Sequence, residues 1–125
     1  MPSKQLQILL VEDHMDTARA MCILLKRVGH KVTLANSIAA ALSASECSTF
    51  DLVISDIGLP DGSGIDLMRR IRARHAMPAI ALSGFGMEAD IARSREAGFS
   101  EHLTKPVDLD RLEILIRGFA ENAPA

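Results

Sequence analysis

Tryptophan and tyrosine are absent from this 125-residue chain, and its four phenylalanines are the only aromatic side chains apart from histidine. That composition argues against an aromatic-rich recognition surface. Cysteine is nearly absent too. Cys22 and Cys47 fit no metal-ligand spacing. A reduced cytoplasmic setting is expected, with Cys22 acting as a small core hydrophobe. There is no excess of basic residues. The net charge of -2 and pI near 6.0 argue against a nucleic-acid surface, which needs a basic stripe. No apolar run approaches the ~20 residues of a membrane span, so no membrane insertion is expected. The opening Met1-Pro2-Ser3-Lys4-Gln5 lacks the hydrophobic region of a signal peptide.

What the chain does have is apolar content, at 48%, enough for a packed core and far from a disordered composition. Its length suits one domain spanning residues 1–125, with a core over about 6–119. Strand and helix patterns alternate throughout. Residues 6–11, 31–35, 51–55, 79–83 and about 100–103 read as strands. Between them, helix one runs from about Asp16 to Val28, with Ala18, Met21, Cys22, Leu25 and Val28 on one face and Gly29 as its stop. Ser37 caps a second, alanine-rich helix through about Glu46. Helix three packs Ile65, Met68 and Ile71 and reaches about His75. Helix four, from about Met87 to Ala97, has Ile91 as its only large aliphatic residue. Asp108 caps a last helix with Leu109, Leu112, Ile116 and Phe119 in a stripe, and the tail from Glu121 on looks frayed. Met15, Met68 and Met87 read as packing residues. Alternation of this kind predicts an α/β fold, a doubly wound, flavodoxin-like five-stranded parallel sheet of order 2-1-3-4-5 with helices on both faces.

Four of the apolar runs end on residues suited to phosphoryl chemistry. Leu6 to Val11 leads into Glu12-Asp13, and Asp51 to Ser55 into Asp56. Ala79 to Leu82 leads into Ser83, and His102-Leu103-Thr104 into Lys105-Pro106. Open α/β sheets gather such residues at the carboxyl ends of their strands. Three clustered carboxylates must raise a pKa or bind a cation. With Lys105 they carry a net -2, which one Mg2+ balances. Magnesium prefers hard oxygen ligands and can hold a phosphoryl oxygen beside an anionic nucleophile. Ser83 and Lys105 would then meet the remaining phosphoryl oxygens.

Over about residues 6–119 the pattern resembles the receiver domain of two-component response regulators, either stand-alone or cut from a hybrid sensor histidine kinase. The resemblance rests on Val11-Glu12-Asp13, on Asp56 followed by Leu59-Pro60-Asp61-Gly62-Ser63-Gly64, on Leu82-Ser83-Gly84, and on Leu103-Thr104-Lys105-Pro106. It implies that Asp56 is the phosphoacceptor, taking a phosphoryl group from a phosphohistidine on a sensor histidine kinase or a histidine phosphotransfer domain. It implies Mg2+ as cofactor, ligated by Asp13, Asp56 and the Gly58 carbonyl, with Glu12 acting through metal-bound water. Ser83 would follow the phosphoryl group, Lys105 would pair with it, and the Lys105–Pro106 bond would be cis. Output to a downstream protein is expected from the face of helix four, strand five and helix five.

One position departs from the family pattern. Three residues before the lysine, receivers usually carry Tyr or Phe, and this chain has His102. Two expectations for it stand side by side, a switch residue and a passive strand residue. Other functions fit the residues less well. An aspartyl-phosphate hydrolase usually has a second acid two residues after its nucleophile, where this chain has Gly58. A flavin module lacks both a phosphate-cradling loop after strand one and a Trp or Tyr to stack a ring. A partner-binding receiver relative would normally have an eroded acidic triad, and here the triad is intact.

Overall fold

The computed structural model describes residues 5–84 and 90–122. Among the described residues twelve elements follow one another, beginning with β1 (Gln7–Val11), α1 (Met15–Arg27), β2 (Lys31–Ala35), α2 (Ile38–Cys47) and β3 (Leu52–Asp56). A two-residue hairpin, β4 (Gly58–Leu59) and β5 (Gly62–Ser63), precedes α3 (Gly64–Arg72). The chain continues through β6 (Ala79–Ser83), α4 (Asp90–Ala97), β7 (Glu101–Thr104) and α5 (Leu109–Asn122). The main sheet is parallel, in the order β2-β1-β3-β6-β7. With the small hairpin set aside, this is the expected 2-1-3-4-5.

Period-two alternation divides the core into two layers. Leu9, Val11, Val53, Ala79 and Ala81 point to the face covered by α2, α3 and the end of α4. Ile8, Leu10, Leu52, Ile54, Ile80 and Leu82 point to the other face, under α1 and α5. A strand covered on both faces reads as a near-continuous apolar run, and all five residues of β3 are buried, Leu52, Val53 and Ile54 giving way to Ser55 and Asp56 only at its carboxyl end. The sheet can therefore leave polar atoms only at its strand ends.

The helices follow the sequence signals with local differences. Ser37 caps α2, accepting from the Ala40 N–H at 3.1 Å. Asp108 caps α5, accepting from the Asp110 and Arg111 N–H groups at 3.0 and 3.3 Å. Gly29 follows α1 with φ of +100°, a conformation L side chains rarely adopt. Helix α1 closes at Arg27, so Val28 turns out of the helix and is exposed, and Leu24 joins Ala18, Met21 and Leu25 in the buried face. Cys22 is half-buried against the same core.

Helix α3 stops at Arg72, about a turn short of the expected end, where Ala73, Arg74 and His75 hydrogen-bond back to Arg69 and Ile71. The α5 stripe is Leu112, Ile116 and Ala120 with Phe119 beside it, while Leu109, at the open first turn, is exposed. Glu121 and Asn122 are helical rather than frayed, and the Asn122 amide donates to the Gly118 carbonyl at 2.9 Å. Met68 is buried as expected, but Met15 opens α1 and is exposed. The expected start of helix four at Met87 lies outside the described residues.

His30 has a structural role that periodicity does not reveal. It is buried, and its Nδ1 accepts from the Leu6 N–H at 3.0 Å, tying the α1–β2 turn to the start of β1. Burial lowers its pKa below the ordinary 6.5. The folded state therefore holds His30 neutral while the unfolded chain takes up a proton. Stability is complete above the unfolded pKa and falls as pH drops through about 6.5 toward the lower folded value. Chemical denaturation between pH 8 and pH 5 should show this loss, and His30→Asn, which retains an acceptor that cannot titrate, should reduce the slope. An unchanged slope in the variant would exclude the assignment.

Candidate functional site

The carboxyl ends of β1, β3, β6 and β7 meet at one edge of the sheet, and with them the residues singled out in the sequence. Glu12 and Asp13 follow β1, and the Glu12 N–H extends the ladder to the Ala35 carbonyl at 3.0 Å. Asp56 is the last residue of β3, one position further into the strand than the pattern suggested. It lies beside Leu82, and Ile57 N–H donates to the Leu82 carbonyl at 2.8 Å. Ser83 ends β6 opposite Thr104, and the Lys105 N–H donates to the Ser83 carbonyl at 2.7 Å. The Lys105–Pro106 peptide is cis.

One ammonium holds this edge together. Lys105 Nζ lies 2.6 Å from Asp56 Oδ2 and 2.6 Å from Glu12 Oε1. Glu12 is completely buried, and its second oxygen accepts from the His14 N–H at 3.1 Å. Burial pushes the Glu12 carboxyl above its ordinary range despite the hydrogen bonds that oppose this, and the Asp56 charge adds to the rise. Burial pulls the Lys105 ammonium down, but Asp56 and Glu12 together outweigh it and leave its pKa raised. All of this describes a site with more negative charge than one lysine neutralises.

The donor set suits a divalent cation. Oxygens of Glu12, Asp13 and Asp56 all lie within 4.8 Å of one another. Glu12 Oε1 meets the ammonium as an ion pair but accepts no well-angled hydrogen bond, although it is buried. A buried polar atom in that condition normally has a further partner. Asp13, by contrast, is exposed and open to a hydrated ion. The loop after β3 comes in close. The Gly58 N–H reaches Asp56 Oδ1 at 3.3 Å.

Two residues near the site were read in the sequence only as parts of the turn motif behind Asp56. A Cβ at Gly64 would collide with the backbone carbonyl of Asp56, so the first residue of α3 must be glycine for the helix to sit against the end of β3. The Gly64 N–H donates to the Ile57 carbonyl at 2.7 Å. Asp61, in the turn between β4 and β5, accepts from the Ile38 and Ala39 N–H groups at 2.8 and 3.0 Å, so it caps α2 from a distance. These backbone bonds lower its pKa. The dense Pro, Asp and Gly content of this loop announced a turn, but the contact to α2 depends on tertiary structure.

His102 faces the same side of the sheet as Ser83. Its Nε2 is 2.7 Å from Ser83 Oγ, and Ser83 is 1% exposed. Asp56 with Lys105 and Ser83 with His102 thus form two side-chain pairs, joined through the Lys105 N–H to the Ser83 carbonyl.

The profile of the response regulator receiver domain family matches residues 8–117. The chain is 34% identical over 110 residues to the KDP operon transcriptional regulatory protein KdpE of Escherichia coli, covering 88% of this chain and 49% of that protein. It thus spans about half the length of several curated relatives. Among solved structures, the CheY-like receiver domain from Methylobacillus flagellatus matches with a TM-score of 0.81 at 32% identity, covering 94% of this chain and 99% of that one. A two-component response regulator from Clostridium difficile shares the fold, with a TM-score of 0.91 at 22% identity over 97% of this chain and all of that one. None of the described helices is long and apolar enough to cross a membrane.

The charge arrangement has a direct consequence for stability. Lys105→Met leaves two buried carboxylates facing each other without a counter-charge, an arrangement that costs about 3–5 kcal/mol when fully buried. Because Lys105 is 24% exposed, roughly 1–3 kcal/mol is expected in metal-free buffer. Adding Asp56→Asn should recover part of the loss. Urea unfolding of both variants measures this, and a second substitution that deepens the loss would contradict it.

Proposed function

Because the chain belongs to the response regulator receiver domain family, we propose that Asp56 is its phosphoacceptor and that the site works as follows. A phosphohistidine on a sensor histidine kinase or a histidine phosphotransfer domain supplies the phosphoryl group. An Asp56 carboxylate oxygen bonds to phosphorus as the phosphorus–nitrogen bond breaks and the nitrogen keeps the electron pair. Lys105 supports the anionic carboxylate beforehand at 2.6 Å and pairs with a phosphoryl oxygen afterwards. Ser83 donates its hydroxyl proton to another phosphoryl oxygen.

Asp13, Asp56 and the Gly58 carbonyl would hold Mg2+, with Glu12 acting through bound water. When bound, the ion supplies positive charge against the equatorial oxygens of the transferring group. The chain's own contribution is positioning and charge. It promotes its own phosphorylation and dephosphorylation in the cytoplasm, and has no separate substrate. The observation that carries this reading is the buried Glu12–Lys105–Asp56 contact with Asp13 open beside it. Gly58 offers no side-chain acid, so a phosphatase acting on separate substrates has no candidate group at that position.

Mass spectrometry after treatment with acetyl phosphate and Mg2+ tests the assignment. One phosphoryl group should appear, on Asp56, and both chelator and Asp56→Asn should abolish it. An adduct of equal yield on the variant would overturn it.

The output face would be α4, β7 and α5. Of the described side chains on α4, only Ser94 and Ala97 are buried, so this helix has little apolar anchorage and should be easily displaced. Hydrogen exchange with and without beryllofluoride, a phosphoryl mimic, should change most on this face. Changes confined to α1 and α2 would contradict it.

A further inference from the structure

Among the described residues, the Ser83 hydroxyl has one hydrogen-bond partner, Nε2 of His102 at 2.7 Å. Ser83 is buried, so water does not replace that partner. A hydroxyl has a single proton, and leaving it without an acceptor in a buried site is unfavourable. Hydrogen-bond satisfaction therefore assigns the direction. Ser83 Oγ–H donates, and Nε2 is the bare, accepting nitrogen of the imidazole. Phosphoryl oxygens, however, only accept. To serve one, Ser83 must turn the same proton away from His102.

We propose that His102 is a positioning residue that competes with the phosphoryl group for the Ser83 hydroxyl proton, biasing the site toward its unphosphorylated form. This rests on the phosphoacceptor reading of Asp56 and adds a restraint to it. A phenylalanine in this position has no acceptor, and the competition would not exist. The strand register supports the pairing. Ser83 lies opposite Thr104 and Ala81 opposite His102, so Ser83 and His102 are diagonal neighbours on one face of the β6–β7 pair.

The test is a cycle of variants read by beryllofluoride affinity in the presence of Mg2+. His102→Phe should bind the mimic about 3- to 10-fold more tightly, the range expected from one net hydrogen bond no longer lost. His102→Gln, whose amide oxygen can accept again, should return toward wild type. In a Ser83→Ala background, His102→Phe should change nothing. Nitrogen-15 spectra of the histidine rings give a second reading that needs neither metal nor mimic. At pH 8, Nε2 of His102 should be unprotonated, and its shift should move in Ser83→Ala.

A His102→Phe variant that binds equally or less tightly overturns the proposal. So does a gain that persists without the Ser83 hydroxyl, or an Nε2 that carries a proton at pH 8. A wild type that binds no beryllofluoride rejects the phosphoacceptor reading, and the competition with it. The nitrogen spectra then still read the resting bond on its own.

Discussion

The repulsion among three carboxylates at one sheet edge is the constraint around which the rest of the molecule is arranged. A parallel sheet directs every strand end to the same side, so residues far apart in sequence converge there whether or not their charges agree. Glu12 and Asp56 are both buried or nearly so, and the Lys105 ammonium is shared between them at equal distance. The lysine has to arrive from β7, two strands from Asp56 in the sheet and three from Glu12. Charge balance therefore couples four of the sheet's five strands. One cation still leaves the cluster short of neutrality, and so the donor set suits a divalent ion.

The packing explains how polar residues can be tolerated so close to the core. Side chains on β1, β3 and β6 alternate between two apolar layers, and neither layer has room for a charge along the strands. Only where the strands stop can a carboxylate find a partner. The loop after β3 then has to fold back tightly over Asp56. Gly64 permits this because no side chain separates α3 from the Asp56 carbonyl, and Asp61 fixes the outer part of the same loop to α2. Asp56 is thus held from below by the sheet and from the side by a turn with its own anchors.

Most of this was legible in the sequence because it depends on local signals. Apolar runs that end in Glu12-Asp13, Asp56, Ser83 and Lys105-Pro106 identify the strands and their polar ends together. Ser37 and Asp108 announce helix starts, and Gly29 announces a stop. Less legible were features set by tertiary contacts. Val28 fits the periodicity of α1, yet the helix ends before it, and Leu109 fits the stripe of α5 but sits at an uncovered end. His30 reads as one more polar turn residue until its Nδ1 is seen accepting from Leu6, on the opposite side of the first crossover. Asp61 reads as a turn former, whereas its carboxylate caps a helix more than twenty residues earlier.

The position where family pattern and sequence disagree shows the same division. Sequence alone established that His102 stands where a ring without a ring nitrogen is usual. It could not say what the extra nitrogen touches. In the fold, the nitrogen meets the hydroxyl expected to report on the phosphoryl group, at a distance of a strong hydrogen bond. On the proposed phosphoacceptor reading, a hydroxyl with one proton and two candidate acceptors would link strand β7 to the chemistry at β3 without any larger movement. In a site already organised by one shared ammonium, a second shared proton would be enough to tie a phosphorylated Asp56 to the strand next to α4 and α5.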